Sequence, residues 1–218
     1  MKTISAILRK EWNGFLGSER GVFAIYAILI FSWSFIPLGG GLAAGPVWWL
    51  FFSVIISGNF ATTVFVSERL NGSMEILLTS GFTRGAVFFG KVAFIACMSI
   101  GIGMLCFCLA FVWLSISGRP HAALFTEAFS DAGLFCAGTV MNVACGAWLS
   151  IRLHSPRIIP FITLLLTAFI VAVFYGLAYA ASAPLWSLVI FLSVVSAVCL
   201  YFAYKEFNGE KVIQPIDL

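Results

Sequence analysis

Charge is the scarcest ingredient of this sequence. Of its 218 residues, 10% are Asp, Glu, Lys or Arg and 61% are hydrophobic, whereas a soluble domain is about one-quarter charged and about one-half apolar. A water-soluble globule is excluded, because its surface would be left largely apolar. In a bilayer the same exterior is solvated by lipid tails. Histidine is nearly missing, with two residues, and the nine acidic residues are dispersed. Without clustered His, Cys, Asp or Glu there is no zinc-ligand spacing and no hydrolytic triad. No catalysis, metal or cofactor is expected of the chain itself. The twelve basic residues form no run interleaved with aromatics, which argues against nucleic acid as a partner. Cys97, Cys106, Cys108, Cys136, Cys145 and Cys199 all fall inside apolar runs and read as small packing residues.

What the sequence has in quantity is apolar stretches, each measured against the roughly 20 residues that cross a bilayer. Residues 21–37, 47–66, 86–114, 123–150, 157–180 and 184–204 supply six such spans. The expected fold is an all-α membrane protein, a bundle of six transmembrane helices over residues 21–204. Residues 1–20 precede it as an amphipathic helix at the membrane interface. There Ile4, Ile7, Leu8, Trp12, Phe15 and Leu16 recur at helical spacing, with Arg9, Lys10, Glu11 and Asn13 mostly opposite them. The first twenty residues carry charge throughout, and no short apolar core with a cleavage site follows, so no signal peptide is expected. Residues 205–218 form a polar tail.

Loops retained in the cytoplasm are rich in Lys and Arg. With six spans and the amino end inside, eleven of the twelve basic residues fall on the inner side and Arg119 alone on the outer. Both termini are therefore expected in the cytoplasm. Among mid-span groups Asn59 and Asn142 are the most polar, and each is suited to bonding across helices. Glu127 and Asp131, four apart near the outer end of the fourth span, share a helix face and read as a solvated helix end.

The polar cytoplasmic segment, residues 67–85, lies between the second and third spans. Leu70, Met74, Leu77 and Leu78 recur at i, i+4, i+7 and i+8 and align on one helix face. Glu68, Arg69, Asn71, Ser73, Glu75 and Thr79 supply polar surface. A short helix of this kind suits either a groove on another protein or the membrane surface. Gly85 to Lys91 has the G-x-x-x-x-G-K spacing of a phosphate-binding loop. Val92 replaces the metal-binding Ser or Thr, and no strand precedes it, so no nucleotide site is expected.

The stretch from Ser67 to Lys91 resembles the signature of the membrane subunits of ABC exporters of the type 2 permease class. In that family E-R-x-x-G-[ST]-x-E-x-L-L-x-[ST]-P precedes a hydrophobic, Ser or Thr, Arg run and then G-K at the third span. Here Glu68, Arg69, Gly72, Ser73, Glu75, Leu77, Leu78, Thr79, Ser80, Phe82, Thr83, Arg84, Gly90 and Lys91 stand in matching order. Gly81 stands where proline is usual, and Ala86 where an acidic residue is common. The resemblance implies that residues 67–85 hold a coupling helix seated in a separate ABC ATPase subunit. It implies a permease homodimer or heterodimer in a bacterial cytoplasmic (inner) membrane, and transport powered by the partner's ATP hydrolysis. Glu68, Arg69, Glu75 and Arg84 would orient that helix, with Gly72 and Ser73 at its turn. Leu70, Met74, Leu77 and Leu78 would meet either the partner or the chain's own spans. A haem-exporter-type permease, and a membrane scaffold that recruits an ATPase without moving cargo, remain open beside this reading.

Overall fold

The computed structural model describes residues 2–17, 20–35, 45–118, 121–153, 155, 158–181 and 185–207. Among them the regular structure is entirely helical. Helix α1 (Lys2–Leu16) is followed by α2 (Arg20–Ser34) and α3 (Gly45–Ala61), which runs into a π-helical turn, Thr62–Ser67. Two short helices, α4 (Glu68–Leu70) and α5 (Ser73–Thr79), lead to α6 (Arg84–Ile116), α7 (His121–Arg152), α8 (Ile158–Ala181) and α9 (Leu185–Glu206). Among the described residues, four stretches are long and apolar enough to cross a membrane: Trp49–Val66, Arg84–Ile116, Phe129–Arg152 and Trp186–Glu206. Phe23–Ser34 and Ile158–Phe174 are shorter apolar helices. Residues 36–37 of the expected first span, the glycine-rich turn after them and the tail beyond Phe207 lie outside the described residues.

Helix α7 is central, packed against α3, α6, α8 and α9. One apolar core holds Phe52, Phe88, Ile95 and Phe135, and a second holds Leu134, Met141, Ile170, Leu188 and Leu192. Small residues let these helices approach closely, since in lipid no hydrophobic drive pushes apolar helices together. At Gly103 of α6 a β-carbon would lie 1.9 Å from the Phe135 ring of α7, so only glycine leaves room for that ring. Asn142 does bond across helices. Its Nδ2 donates to Ser53 Oγ on α3 at 2.8 Å, and its Oδ1 accepts from Thr167 Oγ1 on α8 at 2.8 Å. Asn59 behaves differently and donates to Ile55 O of its own helix at 2.8 Å. Asp131, expected at a solvated helix end, is 2% exposed within the bundle, and the side chain of Glu127 lies outside the described residues.

The outward faces are apolar. Leu105, Leu109 and Val112 on α6, Phe161, Leu165 and Phe169 on α8, and Ile190, Val194 and Val198 on α9 are all exposed. Helices of this composition satisfy their backbone internally and expose mainly apolar side chains, as suits a hydrocarbon solvent. Helix α2 is tied to α6 by Trp113 Nε1, which donates to Ser34 Oγ at 3.1 Å, and Tyr26 stacks on Phe60 with centroids 5.3 Å apart.

Candidate functional site

The polar groups converge at one end of the bundle, where α6 begins and α3, α7 and α9 finish. Local backbone chemistry prepares this end. The π-helical turn Thr62–Ser67 breaks the i→i−4 ladder, and turns of this type recur at functional sites. The hydroxyls of Thr62 and Thr63 both donate to Asn59 O at 2.9 Å, occupying the carbonyl that the irregular ladder leaves underused. The turn delivers Glu68 into the interior.

Glu68 meets a fully buried lysine. Lys91 is 0% exposed and lies about two helical turns into α6. Its ammonium donates to Glu68 Oε2 at 2.5 Å, to Glu11 Oε1 at 2.7 Å and to Val64 O at 3.3 Å. All three of its N–H bonds are used. Lys10 completes the cluster by pairing with the other oxygen of Glu68 and lying 3.4 Å from Glu11. Two cations face two anions, which is how a buried charge is tolerated. Burial works against the charged form of Glu68, but the Lys91 and Lys10 ammonium groups outweigh it and hold the carboxyl below its usual range. Burial likewise opposes the charge on Lys10, yet its bond to Glu68 and the charge of Glu11 raise it above the ordinary lysine value.

This arrangement corrects two expectations. Glu11 was assigned to the polar side of the amino-terminal helix; it is instead 9% exposed and turned onto Lys91. The apolar face of α1 is divided. Ile7 is buried on the bundle, whereas Ile4, Trp12 and Leu16 are exposed. The segment from Leu70 to Leu78 is also not one helix. Gly72, at φ +69°, sits between α4 and α5 in the left-handed region that favours glycine. Leu70 and Met74 consequently belong to different helices, and the side chain of Leu70 lies outside the described residues.

Most motif positions bond within the chain. Arg69 Nη1 donates to Ile151 O near the end of α7 at 3.2 Å. Ser73 Oγ donates to Glu68 O at 3.3 Å. Met74 is 3% exposed in the core, with Leu77 and Leu78 half-buried. Gly81, at φ +85°, ends the segment in a conformation closed to proline. Thr83 caps α6 by accepting from Ala86 N at 3.3 Å. Arg84 donates to the Tyr204 and Lys205 carbonyls and covers the Tyr204 ring at 5.2 Å, clamping the end of α9. Cations suit helix carboxyl ends, where carbonyls lack partners. Arg152 makes a two-pronged pair with Glu206 on the neighbouring helix end.

A small face remains outward. Asn71, Gly72, Glu75, Thr79 and Ser80 are exposed around Ile76, which is itself 68% exposed. Sequence reasoning passed over Ile76, although it is the apolar residue of Ser73–Thr79 that falls off the Met74–Leu77–Leu78 stripe. Residues Gly85 to Lys91 lie within α6 as regular helix, with Lys91 committed to two carboxylates. That conformation cannot cradle phosphate. No family model matches this chain, and comparison with curated proteins gives no match.

Proposed function

We propose that this chain is the membrane subunit of an ATP-driven exporter of the ABC type 2 permease class. In this reading it has six spans with both termini in the cytoplasm, and residues 68–80 dock a separate ATPase. A dimer of such chains completes the pathway. The observation that carries the reading is the joint made by Glu68, Lys91 and Glu11. It fastens the short helix α4 to α6 and α1 through ion pairs, and α5 is held beside it by the buried Met74, so a push on the docking face is handed to a span instead of being lost in a flexible loop. The outward face centred on Ile76 offers one apolar side chain with Glu75 beside it for a partner to cover. The eleven-to-one distribution of basic residues supports the inward orientation of this end.

The test is a photo-crosslinking amino acid at position 76 of the full chain in its own cells, with adducts identified by mass spectrometry. A nucleotide-binding ATPase is the expected adduct; adducts with lipid alone would remove the docking role. In vesicles holding both proteins, Glu75→Arg should abolish stimulation of ATP hydrolysis while leaving membrane insertion intact.

A further inference from the structure

A groove of about 720 Å³ runs between α1 and α6, with Leu8, Arg9 and Trp12 on one wall and Phe94, Gly101 and Leu105 on the other. Arg9 is its one charged residue. We propose that this groove seats an anionic phospholipid, with the phosphate on Arg9 and an acyl chain laid along α6 from Phe94 toward Leu105.

Length, polarity and charge each point to this occupant. Eleven residues separate Phe94 from Leu105, about 16 Å of helix at 1.5 Å per residue. One leaflet of a hydrocarbon core about 30 Å thick is about 15 Å deep. Helix α1 crosses α6 beside Gly90 and Lys91, where Ile7 and Glu11 make contact. Arg9 and Trp12 therefore stand at the groove end nearest the polar end of the bundle, the level at which a headgroup lies and an indole is favoured. The cation is available. Among the described residues Lys10 is committed to Glu68 and Glu11, whereas Arg9 is exposed and makes no hydrogen bond or ion pair with them. A guanidinium presents paired N–H donors that match a phosphate.

A helix from a second copy of the chain fits less well, because it would have to bring a carboxylate to Arg9. Among the described residues the exposed carboxylate is Glu75, which lies on α5 and outside any apolar span. The groove floor is open at Gly101, where a β-carbon would meet nothing within 4 Å.

The experiment is native mass spectrometry of the full chain released from mixed phosphatidylglycerol and phosphatidylcholine with identical acyl chains. One phosphatidylglycerol per chain should be retained in preference to phosphatidylcholine. Arg9→Gln should weaken that preference about fivefold, the weight of one basic residue at an anionic surface, and Gly101→Leu should lower retention of both lipids. Lys205→Gln, which removes a cation elsewhere at the same end, should leave retention unchanged. Equal retention of the two lipids, an unaltered Arg9→Gln, or an equal loss in Lys205→Gln would overturn the proposal. So would Gly101→Leu dissociating a dimer with lipid binding intact, which would assign the groove to a second copy. None of these readouts depends on whether residues 68–80 dock an ATPase.

Discussion

Ile7 lies directly over Gly90: a β-carbon on that glycine would sit 3.0 Å from Ile7 Cγ2 and 3.1 Å from its Cβ. The amino-terminal helix is therefore fitted to α6 by shape as well as by charge, with Lys91 following in sequence to receive Glu11. Gly90→Leu should lift α1 away, at a cost of about 1–3 kcal/mol in overpacking. Limited trypsin cleavage after Lys10 reads the change, since that residue is held against Glu68 in the docked state. Cleavage as slow as in the unaltered chain would mean that α1 is fastened elsewhere.

Removing Lys91 should cost more than removing any single apolar contact near it. Lys91→Met leaves Glu11 and Glu68 with Lys10 as their one remaining cation, and breaking a buried pair in this way costs about 3–5 kcal/mol. Thermal unfolding in detergent should show the loss. Adding Glu11→Gln and Glu68→Gln to Lys91→Met should recover most of it, because the uncompensated charges are then gone. A single Lys91→Met variant as stable as the parent would deny the cluster its fastening role.

The same cluster sets an acid limit on stability. Glu68 has its carboxyl held below the ordinary value near 4.5, so the folded state binds its proton less readily than the unfolded chain does. Its contribution is complete above that ordinary value and is lost as pH falls through the lowered one. The groups that face it are Lys10 and Glu11 from α1 and Lys91 from α6. Melting temperature should hold from neutral pH down to the carboxylate range and then drop, with a shallower drop in Glu68→Gln. Parallel profiles for the two proteins would exclude Glu68 as the titrating group.

Asn142→Leu should cost less than its burial alone implies. Ser53 keeps its bond to Leu50 O at 2.7 Å and Thr167 keeps its bond to Thr163 O at 2.8 Å when the asparagine is gone. Neither hydroxyl is left stranded, so the loss should fall within the roughly 0.6–1.7 kcal/mol typical of bonds between membrane helices. Unfolding in mixed micelles measures it. A loss above about 3 kcal/mol would show that the three helices depend on this asparagine for more than two hydrogen bonds.

Local patterns were legible from the residues alone, and distant partnerships were not. The apolar runs marked where α3, α6, α7, α8 and α9 lie to within a few residues, because composition decides solvation by lipid. The start of α6 moved only from residue 86 to Arg84, where Thr83 supplies the cap. Glu11 was misplaced because periodicity sees one helix at a time, while its partner Lys91 is 80 residues away. The division at Gly72 was hidden by a different cause. Leu70, Met74, Leu77 and Leu78 keep helical spacing, yet one left-handed residue between them ends one helix before the next begins. The π-helical turn left no compositional trace, since its threonines and valines suit a regular helix equally well. The outward position of Ile76 followed only once Met74 was seen to face the core.

The charge cluster divides evenly across the joint. Helix α1 brings Lys10 and Glu11, and the bundle brings Glu68 and Lys91, so each side's share of the cluster is neutral. Separating the two halves of the cluster therefore moves no net charge of the cluster itself, although Lys2 and Arg9 leave α1 as a whole two charges positive. Work against a transmembrane voltage, about 2.3 kcal/mol per elementary charge for each 100 mV, arises in that motion from those two cations and not from the cluster. The ion pairs of the joint are therefore indifferent to membrane voltage, and any voltage dependence of α1 docking traces to Lys2 and Arg9.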